Sequence, residues 1–116
     1  MEQSLYPTAS AEIGQKRKEL APKILDAFRS FSQQVFADGA LPSKTKELIA
    51  VAVAHVTQCP YCIRSHTKRA MLKGATEKEI MEAIWVSAEM RAGAATAHSA
   101  LAIDAMKQEE RSKASV

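Results

Sequence analysis

Two cysteines separated by two residues are the first feature of this 116-residue chain that points to chemistry. They are Cys59 and Cys62, and Pro60 between them is typical of the first turn of a helix. Two sulfurs at this spacing can approach within bonding distance, so the pair could alternate between a dithiol and a disulfide. The unpaired N–H groups at a helix N-terminus also stabilise a thiolate, which is the reactive form.

Two further side chains could move protons near this pair. His66 follows Cys62 by four residues, which on a helix places both side chains on the same face. Glu47 lies at the start of an apolar segment. Partial burial there would be expected to raise the pKa of its carboxyl group towards neutral pH. His55 and Tyr61 lie close in sequence and could line the same site. Together these residues supply a nucleophile, a second thiol and two proton carriers.

The spacing alone leaves other functions of the same residues open. The cysteines could be small buried hydrophobic residues without chemistry. Cys59, Cys62 and His66 could instead bind zinc. Glu47, His55 or a water molecule would then have to be the fourth ligand, because the chain has no second Cys-x-x-Cys motif. In that case the chain would be a zinc-bound or redox-sensing interaction module.

Helical spacing of apolar residues and the signals at helix ends predict an all-α fold. A short polar helix over 10–18 should precede a second helix that begins at Pro22. Ser43 is expected to cap a third helix, over 44–57, which is apolar nearly all round and should lie at the centre of the fold. Val-Ala alternation within it is also typical of a strand, but its length and alanine content favour a helix.

The second half of the chain predicts further helices. One spans about residues 60–73 and is followed by a glycine, which is typical of a helix end. Thr76 and Glu79 have the spacing of a capping box for the next helix. A bend or break at 90–93 would separate that helix from a last amphipathic one. We therefore expect about six helices in a single domain over residues 1–116.

Composition and charge narrow the functional classes. The net charge is +3 and basic and acidic residues are mixed along the chain, which favours a solvated surface over a nucleic-acid interface. No signal peptide is visible at the N-terminus. The longest nearly apolar run, 48–56, is much shorter than the ~20 residues that cross a bilayer, so no membrane association is expected. A cytoplasmic location follows, where a Cys-x-x-Cys is more often catalytic or metal-binding than a permanent crosslink.

One combination of residues is similar to a known signature. Glu47, eleven residues, Cys59-x-x-Cys62, three residues and His66 resemble the AhpD-like (alkylhydroperoxidase) branch of the carboxymuconolactone decarboxylase family. The resemblance covers roughly residues 42–97. It implies an all-helical AhpD-like bundle that forms homo-oligomers, often trimers or hexamers. It also implies thiol peroxidase activity without haem, metal or another cofactor.

The resemblance further implies a role for each matching residue. Cys62 would attack hydrogen peroxide or a small organic hydroperoxide, Cys59 would then form the disulfide, and Glu47 and His66 would relay protons. A dithiol reductant, such as a lipoyl-carrying protein, would reset the site. Tyr61 departs from the pattern, because well-studied members have a histidine directly before the second cysteine. The alternative is a general thiol-disulfide oxidoreductase with weak peroxidase activity.

Overall fold

The computed structural model describes residues 5–114, and within that range it contains five α-helices and no strand. The helices are α1 (Ala11–Leu20), α2 (Pro22–Phe36), α3 (Ser43–Thr57), α4 (Pro60–Leu72) and α5 (Glu77–Ala114). The predicted all-α fold is therefore confirmed. The third element is a helix rather than a strand, as its length and alanine content indicated.

Local signals explain where most of the helices begin. Ser10 is the N-cap of α1, and its hydroxyl accepts a hydrogen bond from the backbone N–H of Ile13 at 3.2 Å. Pro22 occupies the first turn of α2, where a missing N–H leaves no hydrogen bond unmade. Thr76 and Glu79 form the predicted capping box before α5, in which each side chain accepts the other residue's backbone N–H.

The predicted cap of α3 is wrong. Pro42 is the N-cap residue, and Ser43 is the first helical residue. The backbone N–H of Ser43 donates to the carboxylate of Asp38 at 2.7 Å. The cap therefore comes from a side chain five positions earlier in the loop, which the usual spacing of capping residues does not anticipate. Lys46 makes a second hydrogen bond to this loop, from its Nζ to the carbonyl of Ala37 at 2.6 Å.

The chain ends in one long helix, so the predicted bend or break at 90–93 is wrong. α5 continues through Gly93 without interruption for 38 residues, and the described helices number five rather than about six. A glycine inside a helix costs roughly 1 kcal/mol relative to alanine. Alanines flank Gly93 on both sides, and their high helix propensity offsets that cost.

α3 lies at the centre of the fold and packs against α2, α4 and α5. The buried apolar residues are Val51, Ala54, Ala70, Ala75 and Ile80. Only one face of α3 is covered, because Ile49 and Val53 on its other side are about half exposed, at 48% and 52%. The central position is thus confirmed, and part of the apolar surface of α3 is left exposed in the single chain.

The described chain is elongated. Its radius of gyration is 21.2 Å, whereas a compact chain of this length would have roughly 13 Å. Much of the difference comes from α5, whose residues after Ser87 are exposed apart from the partly buried Gly93. Along residues 5–114, none of the helices combines the length and the apolar character needed to cross a membrane.

Candidate active site

The two cysteines lie at the start of α4. Cys59 is the N-cap residue of this helix and Cys62 is in its first turn. Their sulfurs are joined in a disulfide, and their Cα atoms are 5.2 Å apart. The Sγ of Cys59 also accepts a hydrogen bond from the backbone N–H of Cys62 at 3.2 Å. The two cysteines are therefore close enough to be crosslinked, as their spacing predicts, and they lie at the positive end of a helix.

A very short connection places this pair next to the end of α3. Gln58 adopts the left-handed backbone conformation with φ of 57°, and the backbone N–H of Cys59 donates to the carbonyl of Ala54 at 3.2 Å. A residue other than glycine in this conformation costs about 1 kcal/mol. Packing between α3 and α4 offsets this cost, and the two helices can then bring their side chains together across one interface.

That interface contains the two predicted proton carriers. Nδ1 of His66 lies 2.7 Å from Oε2 of Glu47. A carboxylate can only accept, so Nδ1 carries the hydrogen and donates it. The side chain of Glu47 is 4% exposed and that of His66 is 18% exposed. Because Nδ1 is held by Glu47, Nε2 is the imidazole nitrogen that remains for exchange of a proton with a thiol or substrate.

Phe36 is a third member of this group that the sequence did not reveal. It is the last residue of α2, and its ring is stacked on the imidazole of His66 with centroids 5.0 Å apart and planes at 27°. The stacking fixes the plane of the imidazole, and the hydrogen bond to Glu47 fixes its rotation in that plane. No spacing rule connects Phe36 to a histidine 30 residues later, so only the packing of α2 could identify it.

An ion pair connects the start of α3, which contains Glu47, to the start of α5. Lys44 forms an ion pair with Glu79 at 2.8 Å. The hydrogen bond from Lys44, followed by the one from the Thr76 backbone N–H, holds the pKa of Glu79 below its ordinary value of 4.5. Both groups are at the surface, so this pair supports the position of the helix rather than taking part in the site.

The other two candidate site residues are engaged elsewhere. The hydroxyl of Tyr61 donates a hydrogen bond to the carbonyl of Pro7 at 2.7 Å, and the rings of Tyr61 and Tyr6 form an edge-to-face pair with centroids 5.9 Å apart. A segment before α1 thus contacts the residue between the cysteines. His55 bonds within its own helix, because its Nδ1 lies 2.7 Å from the carbonyl of Val51. A role for His55 in lining the site stays a prediction.

The zinc alternative has no counterpart in this geometry. Among residues 5–114, no three side chains of the types His, Cys, Asp and Glu are grouped so that they could hold a metal ion. Glu47 and His66 engage each other, and the two sulfurs are joined. The site is therefore an arrangement of a disulfide and a carboxylate–imidazole pair.

Known proteins share much of this helical core. Residues 22–105 match the carboxymuconolactone decarboxylase family. An uncharacterized protein of the cox locus of Paracoccus denitrificans is 62% identical over 93 residues, which is 80% of this chain and 83% of that protein.

Two solved structures extend the likeness to the fold. A carboxymuconolactone decarboxylase family protein from Legionella pneumophila has a TM-score of 0.63 and 39% identity, over 68% of this chain and 70% of that one. A family member from Thermotoga maritima, for which a role in the antioxidative response has been suggested, has a TM-score of 0.53 and 34% identity, over 56% of this chain and 67% of that one. With the family match covering most of its length, this chain belongs to the carboxymuconolactone decarboxylase family.

Proposed function

We propose that this protein is a thiol peroxidase of the AhpD-like branch, which reduces hydrogen peroxide or small organic hydroperoxides through Cys59 and Cys62. The observation that supports this most is the hydrogen bond between Glu47 of α3 and His66, which follows Cys62 by one turn of α4. A buried carboxylate that orients an imidazole next to a thiol is the arrangement that activates a nucleophile. The suggested antioxidative role of the Thermotoga maritima relative points to the same chemistry.

The first step of the proposed reaction is attack on the peroxide. The thiolate of Cys62 forms a bond to the terminal peroxide oxygen, and the O–O bond breaks. Sulfur is oxidised to a sulfenic acid, and the departing alkoxide takes a proton and leaves as an alcohol. In this proposal His66 receives the thiol proton at Nε2 and returns it to the leaving oxygen, while its hydrogen-bond partner Glu47 stabilises the imidazolium that forms in between.

The second step closes the disulfide. The Cys59 thiolate attacks the sulfur of the Cys62 sulfenic acid, the S–O bond breaks, and hydroxide leaves as water after it takes a proton. The hydrogen bond from the Cys62 N–H to the Sγ of Cys59, at the N-terminus of α4, would stabilise such a thiolate. The contact between the two sulfurs supports a disulfide as the product of this step. An external dithiol, such as a lipoyl-carrying protein in a reducing cytosol, would then return the pair to two thiols.

The proposal is tested by mixing the pre-reduced protein with cumene hydroperoxide. We expect peroxide to disappear and the intact mass of the protein to fall by two hydrogens, as Cys59 and Cys62 form their disulfide. Protein alkylated at both cysteines before mixing is the control and should consume nothing. If the mass and the peroxide concentration both stay unchanged, the peroxidase proposal is wrong.

One observation favours a second candidate, a general thiol-disulfide oxidoreductase with weak peroxidase activity. Tyr61 stands where well-studied AhpD-like proteins have histidine, and its hydroxyl already donates to Pro7. A phenol keeps its proton at neutral pH, so it cannot relay protons as an imidazole does. The Tyr61→His variant discriminates between the two. About tenfold faster peroxide reduction, with unchanged disulfide exchange, would show that the native chain is the weaker peroxidase.

We also propose that the protein works as a homo-oligomer, a trimer or a hexamer. An apolar stripe at helical spacing follows the exposed side of α5 and comprises Val86, Met90, Ala94, Ala97 and Leu101. Small residues at its centre would let another helix approach closely. A second copy of the chain is the occupant that fits, because the elongated single chain leaves these side chains uncovered.

Sedimentation velocity tests the assembly directly. We expect a trimer or hexamer for the wild-type chain and a smaller species for Met90→Glu, since the variant would bury an unpaired charge. Glu89→Gln, one residue away and also exposed, is the matched control and should keep the wild-type mass. A wild-type monomer at working concentration would contradict the proposal.

A further inference from the structure

A groove next to the proton-carrying pair has the character of an anion site. Its volume is about 550 Å³, which lies within the ~300–1,000 Å³ typical of small-molecule sites. Residues from α1, α2 and α4 line it, and those on which the inference depends are Arg17, Arg29, Arg69, Leu25, Phe28 and Phe36. Three arginines thus share the groove with apolar side chains.

The ionisable side chains that line this groove are all basic. Arg17, Arg29 and Arg69 come from three different helices, and no acidic residue joins them in the lining. Among residues 5–114, the ion pairs of the structure involve other side chains, so none of these three guanidinium groups forms an ion pair. Guanidinium groups match the planar, two-oxygen geometry of a carboxylate, which makes an anionic head group the complementary ligand.

An apolar hollow of about 390 Å³ continues from the groove. The two share Arg17, Leu25 and Phe28, and the hollow extends along Leu20 and Ile24. Leu20 and Ile24 are 73% and 76% exposed, so their hydrocarbon side chains face solvent. A bound molecule could cover this apolar surface. A ligand that fills both parts would therefore have an anionic head and a hydrocarbon body.

The groove borders the candidate site through Phe36. Phe36 lines it and stacks on His66, and Arg69 follows His66 by three residues on α4, on the same side of the helix. A molecule bound by the arginines would thus lie one aromatic ring away from the imidazole. Its anionic head would be held at a defined place relative to the reacting groups.

We propose that the groove of Arg17, Arg29 and Arg69 binds amphipathic carboxylates, and that the preferred substrates are hydroperoxides with a hydrocarbon body and a carboxylate head. The substrate part of this inference rests on the proposed peroxidase function, whereas the binding part does not. Binding involves no covalent step, and reduction follows the balance given above, with the hydroperoxide becoming the corresponding alcohol and water.

Binding is measured first, on the full-length oxidised protein with lauric acid as the probe, by titration calorimetry. We expect lauric acid to bind, and Arg29→Gln combined with Arg69→Gln to weaken binding by at least about tenfold. Methyl laurate has the same hydrocarbon chain as lauric acid but no negative charge. It should bind to the wild type only weakly, with an affinity similar to that of lauric acid for the double variant. Arg64→Gln, an exposed arginine of α4 outside the groove, should bind lauric acid like the wild type. Equal binding of lauric acid to the wild type and the double variant, or none to either, would overturn the proposal.

Turnover then separates the substrate class from the proposed function. Wild-type protein should reduce linoleic acid hydroperoxide with kcat/KM about tenfold above that for its methyl ester, and the double variant should lose this preference while it still reduces cumene hydroperoxide. Equal rates with the acid and the ester, together with active reduction of cumene hydroperoxide, would overturn the substrate proposal and leave the peroxidase function intact. Arginine-dependent binding of lauric acid without reduction of any hydroperoxide would overturn the peroxidase function and support the binding site.

Discussion

His66 of α4 donates a hydrogen bond from Nδ1 to Oε2 of Glu47 on α3, across 19 residues of sequence, at a distance of 2.7 Å. The carboxylate is almost wholly enclosed, and the imidazole keeps a small exposed edge. Hydrogen bonds to a charged group are stronger than those between neutral groups, and an enclosed carboxylate depends on such a partner. The position of the imidazole is thus set by how α3 packs against α4.

Replacing Glu47 with glutamine should remove the charge and keep the shape. The amide can still accept the hydrogen of Nδ1, but it does not stabilise an imidazolium. We therefore expect kcat/KM for cumene hydroperoxide to fall by about 10²-fold, as is typical when acid–base assistance is lost. Glu89→Gln, an exposed change on α5, is the control and should retain wild-type activity. A Glu47→Gln protein that is folded and fully active would exclude Glu47 from the mechanism.

Phe36→Leu tests whether the stacked ring positions His66. Leucine keeps the site apolar but cannot hold the imidazole plane, and such an aromatic pair contributes about 0.5–1.5 kcal/mol beyond its burial. We expect peroxide reduction to fall roughly three- to tenfold, with a shift of the His66 ring signals in NMR spectra, since the ring current of Phe36 is lost. Phe31→Leu, on the same helix and 64% exposed, should change neither. Unshifted His66 signals in Phe36→Leu would show that the ring does not position the imidazole.

The two cysteines should behave differently when each is replaced by serine. Cys62→Ser removes the attacking thiolate, so no reaction with peroxide is expected. Cys59→Ser should complete one turnover and stop at the sulfenic acid, which dimedone labels and mass spectrometry detects. Should Cys62→Ser instead react at the wild-type rate in the first turnover, the roles assigned to the two thiols would have to be exchanged.

Tyr61→Phe should release the segment before α1. The change removes only the hydroxyl that donates to the carbonyl of Pro7, and the edge-to-face contact with Tyr6 can remain. A hydrogen bond of this kind contributes about 1 kcal/mol, so the released form of the segment should become roughly fivefold more populated, which lowers the NMR order parameters of Thr8 and Ala9. Tyr61→Leu removes both contacts and should lower the order parameters further. Identical order parameters in the wild type and both variants would show that Tyr61 does not anchor this segment.

Glu79→Gln should destabilise the protein at neutral pH and have little effect in acid. Lys44 and the Thr76 N–H hold the pKa of Glu79 below 4.5, so the ionised carboxylate is favoured in the folded state. Its contribution to stability is fully present above 4.5 and is lost as the pH falls through the lowered folded-state value. The difference in Tm between Glu79→Gln and wild type should therefore shrink on acidification. Glu82→Gln is the exposed control on α5, and a pH-independent difference for Glu79→Gln would contradict the assignment.

Much of the fold could be predicted because its signals are local. Pro22, the Thr76–Glu79 capping box and the helical spacing of apolar residues depend on neighbours within one turn, and the structure confirms each. The wrong predictions involve competition between local effects and more distant partners. Asp38 caps α3 from the preceding loop in place of Ser43. Gly93 weakens its helix, but not enough to interrupt it between alanine-rich flanks.

The sequence by itself determined the chemistry that is available: a disulfide-forming pair at a helix start, and a carboxylate and an imidazole at fixed offsets from it. These follow from residue types and helical geometry, which act over a few residues. Only the tertiary structure decided which groups meet. The contact of Glu47 with His66, the ring of Phe36, and the convergence of Arg17, Arg29 and Arg69 all require separate helices to pack. Such packing depends on shape and burial across the whole core, and no local pattern encodes it.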